Sequence, residues 1–132
     1  LFWKRLWEMA EFVQDYTGEN RAQHGDVNDA TKDLQFVWAV KANNRGQWIE
    51  AWTKMIKKHN PQNTYHIISN AILNRGFGGA NLYGLTSASS YKEMIDAQNS
   101  RYNSKEWSEF IENSGGGEVL LHWSRKMVKT WN

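Results

Sequence analysis

Apolar and polar positions change step partway through one stretch of this chain. Leu34, Phe36, Trp38 and Val40 put bulk on every second residue, with Gln35, Val37, Ala39 and Lys41 between them. That is the two-residue period of a strand. "NRGQ" at 44–47 then matches a capping box, with Asn44 as the cap and Gln47 reaching back. Beyond it Trp48, Trp52, Met55, Ile56 and His59 recur at helical spacing until Pro61 breaks the pattern. "TYHIISNAILN" at 64–74 and "ANLYGLTS" at 80–87 predict two strands joined by the glycine-rich turn "RGFGG" at 75–79. "SYKE" at 90–93 is a second capping box, and the helix it opens carries Tyr91, Met94, Ile95, Gln98 and Tyr102. A break at Asn103 and Ser104 precedes a further helical piece with Trp107, Phe110 and Ile111. "SGGG" at 114–117 ends it, and residues 118–131 predict a long last strand, apolar on both sides. Ahead of all this, Phe2, Leu6, Met9, Val13 and Tyr16 stripe a helix over 2–16. Residues 17–33 have no apolar period and predict a surface connection.

From residue 34 the order is strand, helix, strand, strand, helix, strand. Right-handed crossovers fold two such units into one sheet with both helices on one face. The expectation is therefore a single α+β domain over 1–132. It comprises an N-terminal helix and connection at 1–33 and a ferredoxin-like βαββαβ core at 34–131. The core has a four-stranded antiparallel sheet in the order 4-1-3-2. Its strands carry bulk on both faces: Val37 opposite Trp38, Ile67 beside Ile68, Leu120 beside Leu121. Leaving about six such side chains in water forgoes roughly 9–18 kcal/mol of gross burial, comparable with the net stability of a domain. Something must cover the second face. The candidates are the first helix or the sheet of a second copy, and the expected arrangement is a two-fold homodimer through the sheet face.

Composition narrows the function classes. The chain has 132 residues, 40% hydrophobic and 14% aromatic, enough for a real core. Sixteen Lys and Arg against fourteen Asp and Glu leave a net charge of +2, with no basic run that would form a nucleic-acid arm. Cysteine is absent, which removes disulfides, thiolate metal sites and cysteine nucleophiles and leaves the compartment open. No apolar run approaches a membrane span. The first residue is Leu1, not Met, and something upstream is expected: a signal peptide, a first strand or a cloning boundary.

The element order over 34–131 and the tryptophan-rich first crossover helix resemble the dimeric α+β barrel group. That group includes the antibiotic-biosynthesis-monooxygenase-like, stress-barrel and muconolactone-isomerase-like families. The resemblance covers three quarters of the chain and implies a pocket between helices and sheet in each subunit. The activities it implies are cofactor-free oxygenation of aromatic compounds, haem degradation or isomerisation. Many members act without an assigned activity. The Asn, Trp and His constellation of the haem-degrading members has no residue-by-residue match here and is not carried over.

No catalytic motif stands in the chain: there is no G-x-S-x-G, no triad order and no carboxylate pair on a strand. His122 in "VLLHWS" and His66 in "TYHIIS" are polar groups in apolar strands and the candidates for a general base. A half-buried histidine bonded to backbone is the simpler reading of each. On opposite edges of a 4-1-3-2 sheet they stand roughly 14 Å apart, too far to share a metal. Neither a metal nor a cofactor is expected. "RGFGG" lacks the residues of a phosphate loop and precedes a strand. Trp38, Trp48, Trp52 and Tyr83 are candidates to line an apolar cavity, and the rival reading is plain core. Eight tryptophans in 132 residues is a large number for core alone. Asn70, Arg75 and Asn81 are the polar candidates for orienting a flat aromatic ligand. The expected partners are a second copy of the chain and a small apolar or aromatic molecule. An enzyme and a non-catalytic binding or stress-type module both fit, while nucleic acid and membrane do not.

Overall fold

The computed structural model describes residues 18–25, 34–60, 65–71 and 77–126. They form five strands and three helices: β1 (Gly18–His24), β2 (Leu34–Ala42), α1 (Arg45–Lys58), β3 (His66–Ala71), β4 (Leu82–Ala88), α2 (Tyr91–Tyr102), α3 (Lys105–Asn113) and β5 (Gly117–Lys126). All strand pairs are antiparallel, in the order β1-β3-β4-β2-β5.

The four-stranded ferredoxin-like plan is thereby corrected. β5, β2, β4 and β3 do stand side by side, but the sheet continues past β3 into a fifth strand. That strand comes from residues expected to be a surface connection. "GENRAQH" pairs with β3 from Gly18↔Ala71 to His24↔His66, with a bulge between Asn20 and Ala22. It has no hydrophobic period because it is an edge strand whose backbone, not its side chains, does the pairing. Polar composition is also what keeps an exposed edge from pairing further. Only Ala22 packs against the core, while Ser69 Oγ donates to Asn20 Oδ1 at 2.7 Å. The helix expected over 2–16 lies outside the described residues, as do Arg75 and the C-terminal part of the last predicted strand.

Alternation along the strands divides the side chains between two faces. On one, Trp38, Val40 and Ala42 of β2, Ile68 of β3 and Leu82 of β4 pack against Ala51, Trp52, Met55 and Ile56 of α1 and Phe110 of α3. α2 crosses the same face: Tyr91 meets Phe36 edge-on at 5.5 Å, and its hydroxyl lies 3.1 Å from Ser124 Oγ. Two helices begin where the sequence places their caps, at Asn44 and Ser90, and the third is capped by Ser104 of the predicted break. Asn44, Ser90 and Ser104 each accept from the backbone N–H three residues on, at 3.1 Å. Gln47, however, does not reach back to its own cap. Its Nε2 donates to the Asn113 carbonyl, tying α1 to the end of α3.

The opposite face holds a second cluster, Val37, Ala39, Ala80 and Tyr83, with Leu85, Leu120 and Trp123 packed around it. Val37 is 3% exposed and Ala39 0% within a single chain. The centre of this face is therefore closed. β5 departs from its expected two-sided burial. Val119 and Leu121 are 56% and 40% exposed at the free edge of the sheet.

Candidate functional site

The tryptophans predicted to line a cavity do meet in part. On the helix-covered face a pocket of about 100 Å³ opens between α1, the end of α2, the start of α3 and the sheet. Its aromatic wall is Trp38, Trp48, Trp52, Tyr102 and Trp107. These rings hold one another in place. Trp48 stands edge-on to Phe110 at 5.2 Å. Trp107 is tilted against Phe110 at 5.2 Å and Tyr102 at 4.7 Å, and Trp52 is edge-on to the His66 ring at 5.8 Å. Each tryptophan is there because of spacing. Trp48 and Trp52 are one turn apart on α1, and Ser104 starts α3 so that Trp107 falls in its first turn. Gly84 provides the room beneath them. A Cβ at that position would sit 3.2 Å from Ile68 Cδ1 and 3.5 Å from the Trp38 ring.

Three polar side chains reach this pocket: His66, Thr86 and Arg101. His66 and Thr86 are cross-strand partners, and their side chains meet at 2.8 Å through Nδ1. An Arg101 amino nitrogen lies 3.4 Å from His66 Nε2, and the Asn60 amide lies 3.3 Å from the same nitrogen. A guanidinium can only donate. Facing Arg101, Nε2 presents its lone pair and Nδ1–H donates to Thr86 Oγ1; facing Asn60 Oδ1, Nε2–H donates and Nδ1 accepts from the Thr86 hydroxyl. Burial, then the Arg101 cation, then His24, hold the imidazole well below its ordinary value of 6.5, so it is neutral at physiological pH. Arg101 is itself only 5% exposed. Burial pushes its guanidinium below the usual arginine range, partly opposed by Tyr102. Among the described residues no carboxylate pairs with it, and its Nε–H is buried without a hydrogen-bond partner.

The pocket continues outward. Trp38, Tyr102 and Val119 also border a shallow groove of about 410 Å³ between α2 and β5, lined further by Phe36, Met94, Ile95 and His122. Another hollow, between α1 and α3, is rimmed by charges that already satisfy one another. Glu50 pairs with Lys54 at 2.7 Å, and Glu109 pairs with Lys58 and Lys105 at 3.4 and 3.3 Å.

The other sequence candidates divide as follows. His66 sits at the floor of the pocket on an interior strand, not an edge, because β1 flanks β3. His122 is exposed in the outer groove and lies across β2 from Trp38. Tyr83 faces the other side of the sheet. Asn81 is structural: its Nδ2 donates to the Ala42 carbonyl and its Oδ1 accepts from the Ala42 N–H, both at 2.8 Å. Asn70 is half-buried with Oδ1 unpartnered, outside the tryptophan pocket. Arg75 lies outside the described residues. Sequence reasoning missed Arg101, Thr86 and the role of Trp107. The signal for Arg101 was present, since it follows Met94 by seven residues, two turns along the buried stripe of α2. Among the described residues no group of three or more His, Asp or Glu gathers as metal ligands, and no helix is long and apolar enough to cross a membrane. Compared with protein-family models, curated proteins and solved structures, the chain matches none of them.

Proposed function

We propose that this protein binds a small, flat, largely apolar molecule in the tryptophan-walled pocket over the sheet. The carrying observation is the pocket's composition. Five aromatic rings from three helices and one strand surround a space that the same residues could have filled, and only three polar groups enter it. Binding sites for small organic molecules have this character: mostly apolar walls with a few converging polar groups. Four of the five rings are held by ring contacts with Phe110, His66 or each other, so less side-chain freedom remains to be lost when a ligand enters.

The reading is one of binding before catalysis. A neutral imidazole beside a guanidinium is a weak base, and its Nδ1 is already engaged by the Thr86 hydroxyl. His122, the other candidate base, lies out in the groove, on a different strand from His66. Oxygenase or isomerase chemistry thus has no constellation of its own among the described residues.

The test is a titration of one- and two-ring aromatic compounds against the intrinsic tryptophan fluorescence, repeated calorimetrically. Saturable binding at one site per chain, lost in Gly84→Val, is expected. The reading is wrong if none of the panel binds at millimolar concentration, or if Gly84→Val folds and binds unchanged.

A further inference from the structure

Arg101 poses a question that apolar binding alone does not answer. A buried cation is costly unless an anion or a full set of acceptors satisfies it. Here a single donor is engaged, through a contact of 3.4 Å to a neutral nitrogen, and Nε–H meets no acceptor. Elsewhere among the described residues the basic side chains of the helices find acids readily: Lys54, Lys58, Lys92 and Lys105 are all paired with Glu or Asp. Arg101, the one buried Lys or Arg among the described residues, has no carboxylate partner among them. It lines the pocket just described, beside His66 and Thr86.

Resting on that binding reading, we infer that the ligand carries one carboxylate, held by Arg101 at the pocket floor, with an aromatic ring extending past Trp38 and Tyr102 toward the outer groove. Size supports this division. An apolar cavity that encloses benzene measures about 150 Å³. The inner pocket, at about 100 Å³, is too small for a whole ring but wide enough for a carboxylate and the near edge of one. The 410 Å³ groove shares Trp38, Tyr102 and Val119 with it and takes the rest of the molecule. The planar fork of a guanidinium matches a carboxylate two-pronged, which a lysine at this position would not do. His66 contributes by being neutral: it adds no second cation, so a single negative charge balances the site.

The experiment compares matched pairs at pH 7.5 by calorimetry: benzoate against benzamide, and indole-3-acetate against indole-3-acetamide. Carboxylates are expected to bind about tenfold to a hundredfold more tightly than their amides, the ratio that one or two charge-assisted hydrogen bonds supply. Arg101→Met should erase that preference, so that each carboxylate binds no more than about threefold more tightly than its amide. A readout on the unmodified protein covers the case in which the variant does not fold: the Arg101 Nε–H resonance should move on adding benzoate and stay put with benzamide. If amides bind as tightly as carboxylates, the apolar pocket stands and the anion assignment falls. If neither class binds, the binding reading has failed first. A benzoate complex that leaves the Nε–H resonance unmoved overturns the role of Arg101.

Discussion

Replacing Arg101 with methionine in the empty protein separates a ligand-binding cation from a structural one, because the two roles predict opposite changes in stability. The wild-type side chain buries an Nε–H with no partner. An unsatisfied buried donor costs about 1–3 kcal/mol. Against this stands one hydrogen bond to His66 Nε2 at 3.4 Å, beyond the usual N–H···N/O range. A bond so stretched is worth at most about 0.5 kcal/mol, the low end of the normal scale. His66 is not orphaned when Arg101 goes, since Thr86 and the Asn60 amide remain within 2.8 and 3.3 Å. Methionine retains an unbranched apolar stem in place of the arginine methylenes. The balance favours the variant by about 0.5–2.5 kcal/mol. For a chain of this length that raises the melting temperature by roughly 2–10 °C.

Urea and thermal unfolding of the ligand-free proteins, followed by far-ultraviolet circular dichroism, measure the difference directly. A gain in stability together with loss of carboxylate binding would be the pattern of a site kept strained for its ligand. The argument is refuted if Arg101→Met lowers stability by more than about 1 kcal/mol, since the guanidinium would then be stabilising the fold through satisfied contacts.

Three further outcomes follow from the same geometry. His66 binds its proton only well below 6.5 when folded, whereas the unfolded chain takes it up near 6.5, so the unfolded state holds more protons in between and stability falls as pH drops below about 6.5. Its contribution is up to about 1.4 kcal/mol per pH unit, and urea titrations at pH 6.5 and 5.5 should show a shallower loss in His66→Gln; an unchanged slope would mean that His66 is not the titrating group. Gly84→Ala pushes a methyl against Ile68 and the Trp38 ring, and it should weaken binding of a one-ring probe by calorimetry while altering stability by no more than about 1 kcal/mol. Asn81→Ala removes both hydrogen bonds to Ala42 and should cost about 1–3 kcal/mol in urea unfolding without changing probe affinity, which marks it as a strand anchor and not a ligand contact.

Much of the framework was legible because local signals were strong. Two N-caps, the alternation from Leu34 to Val40 and the stripe of α1 each have a direct structural counterpart. β1 was illegible for a physical reason. Periodicity reports burial, and a strand such as "GENRAQH" buries almost nothing; its existence depends on free backbone groups along β3 that no local signal in residues 18–24 reveals. The same blindness ran in reverse at β5. Val119, Leu120 and Leu121 read as two-sided core, yet a bulge at Ala39 and Val40 and a place at the sheet edge leave the strand mostly exposed. Apolar residues in a strand establish that burial is possible, and position in the sheet decides whether it happens.

The site was half legible for a related reason. Trp38, Trp48 and Trp52 announce themselves by type, so a search for a cavity finds them, but type alone misplaced Tyr83, whose parity on β4 sends it to the other face. Arg101 was passed over because a lone arginine near the end of a helix normally reads as a solvated residue favourable to the helix dipole. The informative conflict was between its type and its position. Met94, Ala97 and Arg101 share one buried stripe, so the pattern asks for an apolar side chain where the chain supplies a cation. Natural sequences tolerate such a contradiction where function needs it. Such a conflict is most visible where the helix pattern is right, the residue type departs from it, and no carboxylate among the described residues answers its charge.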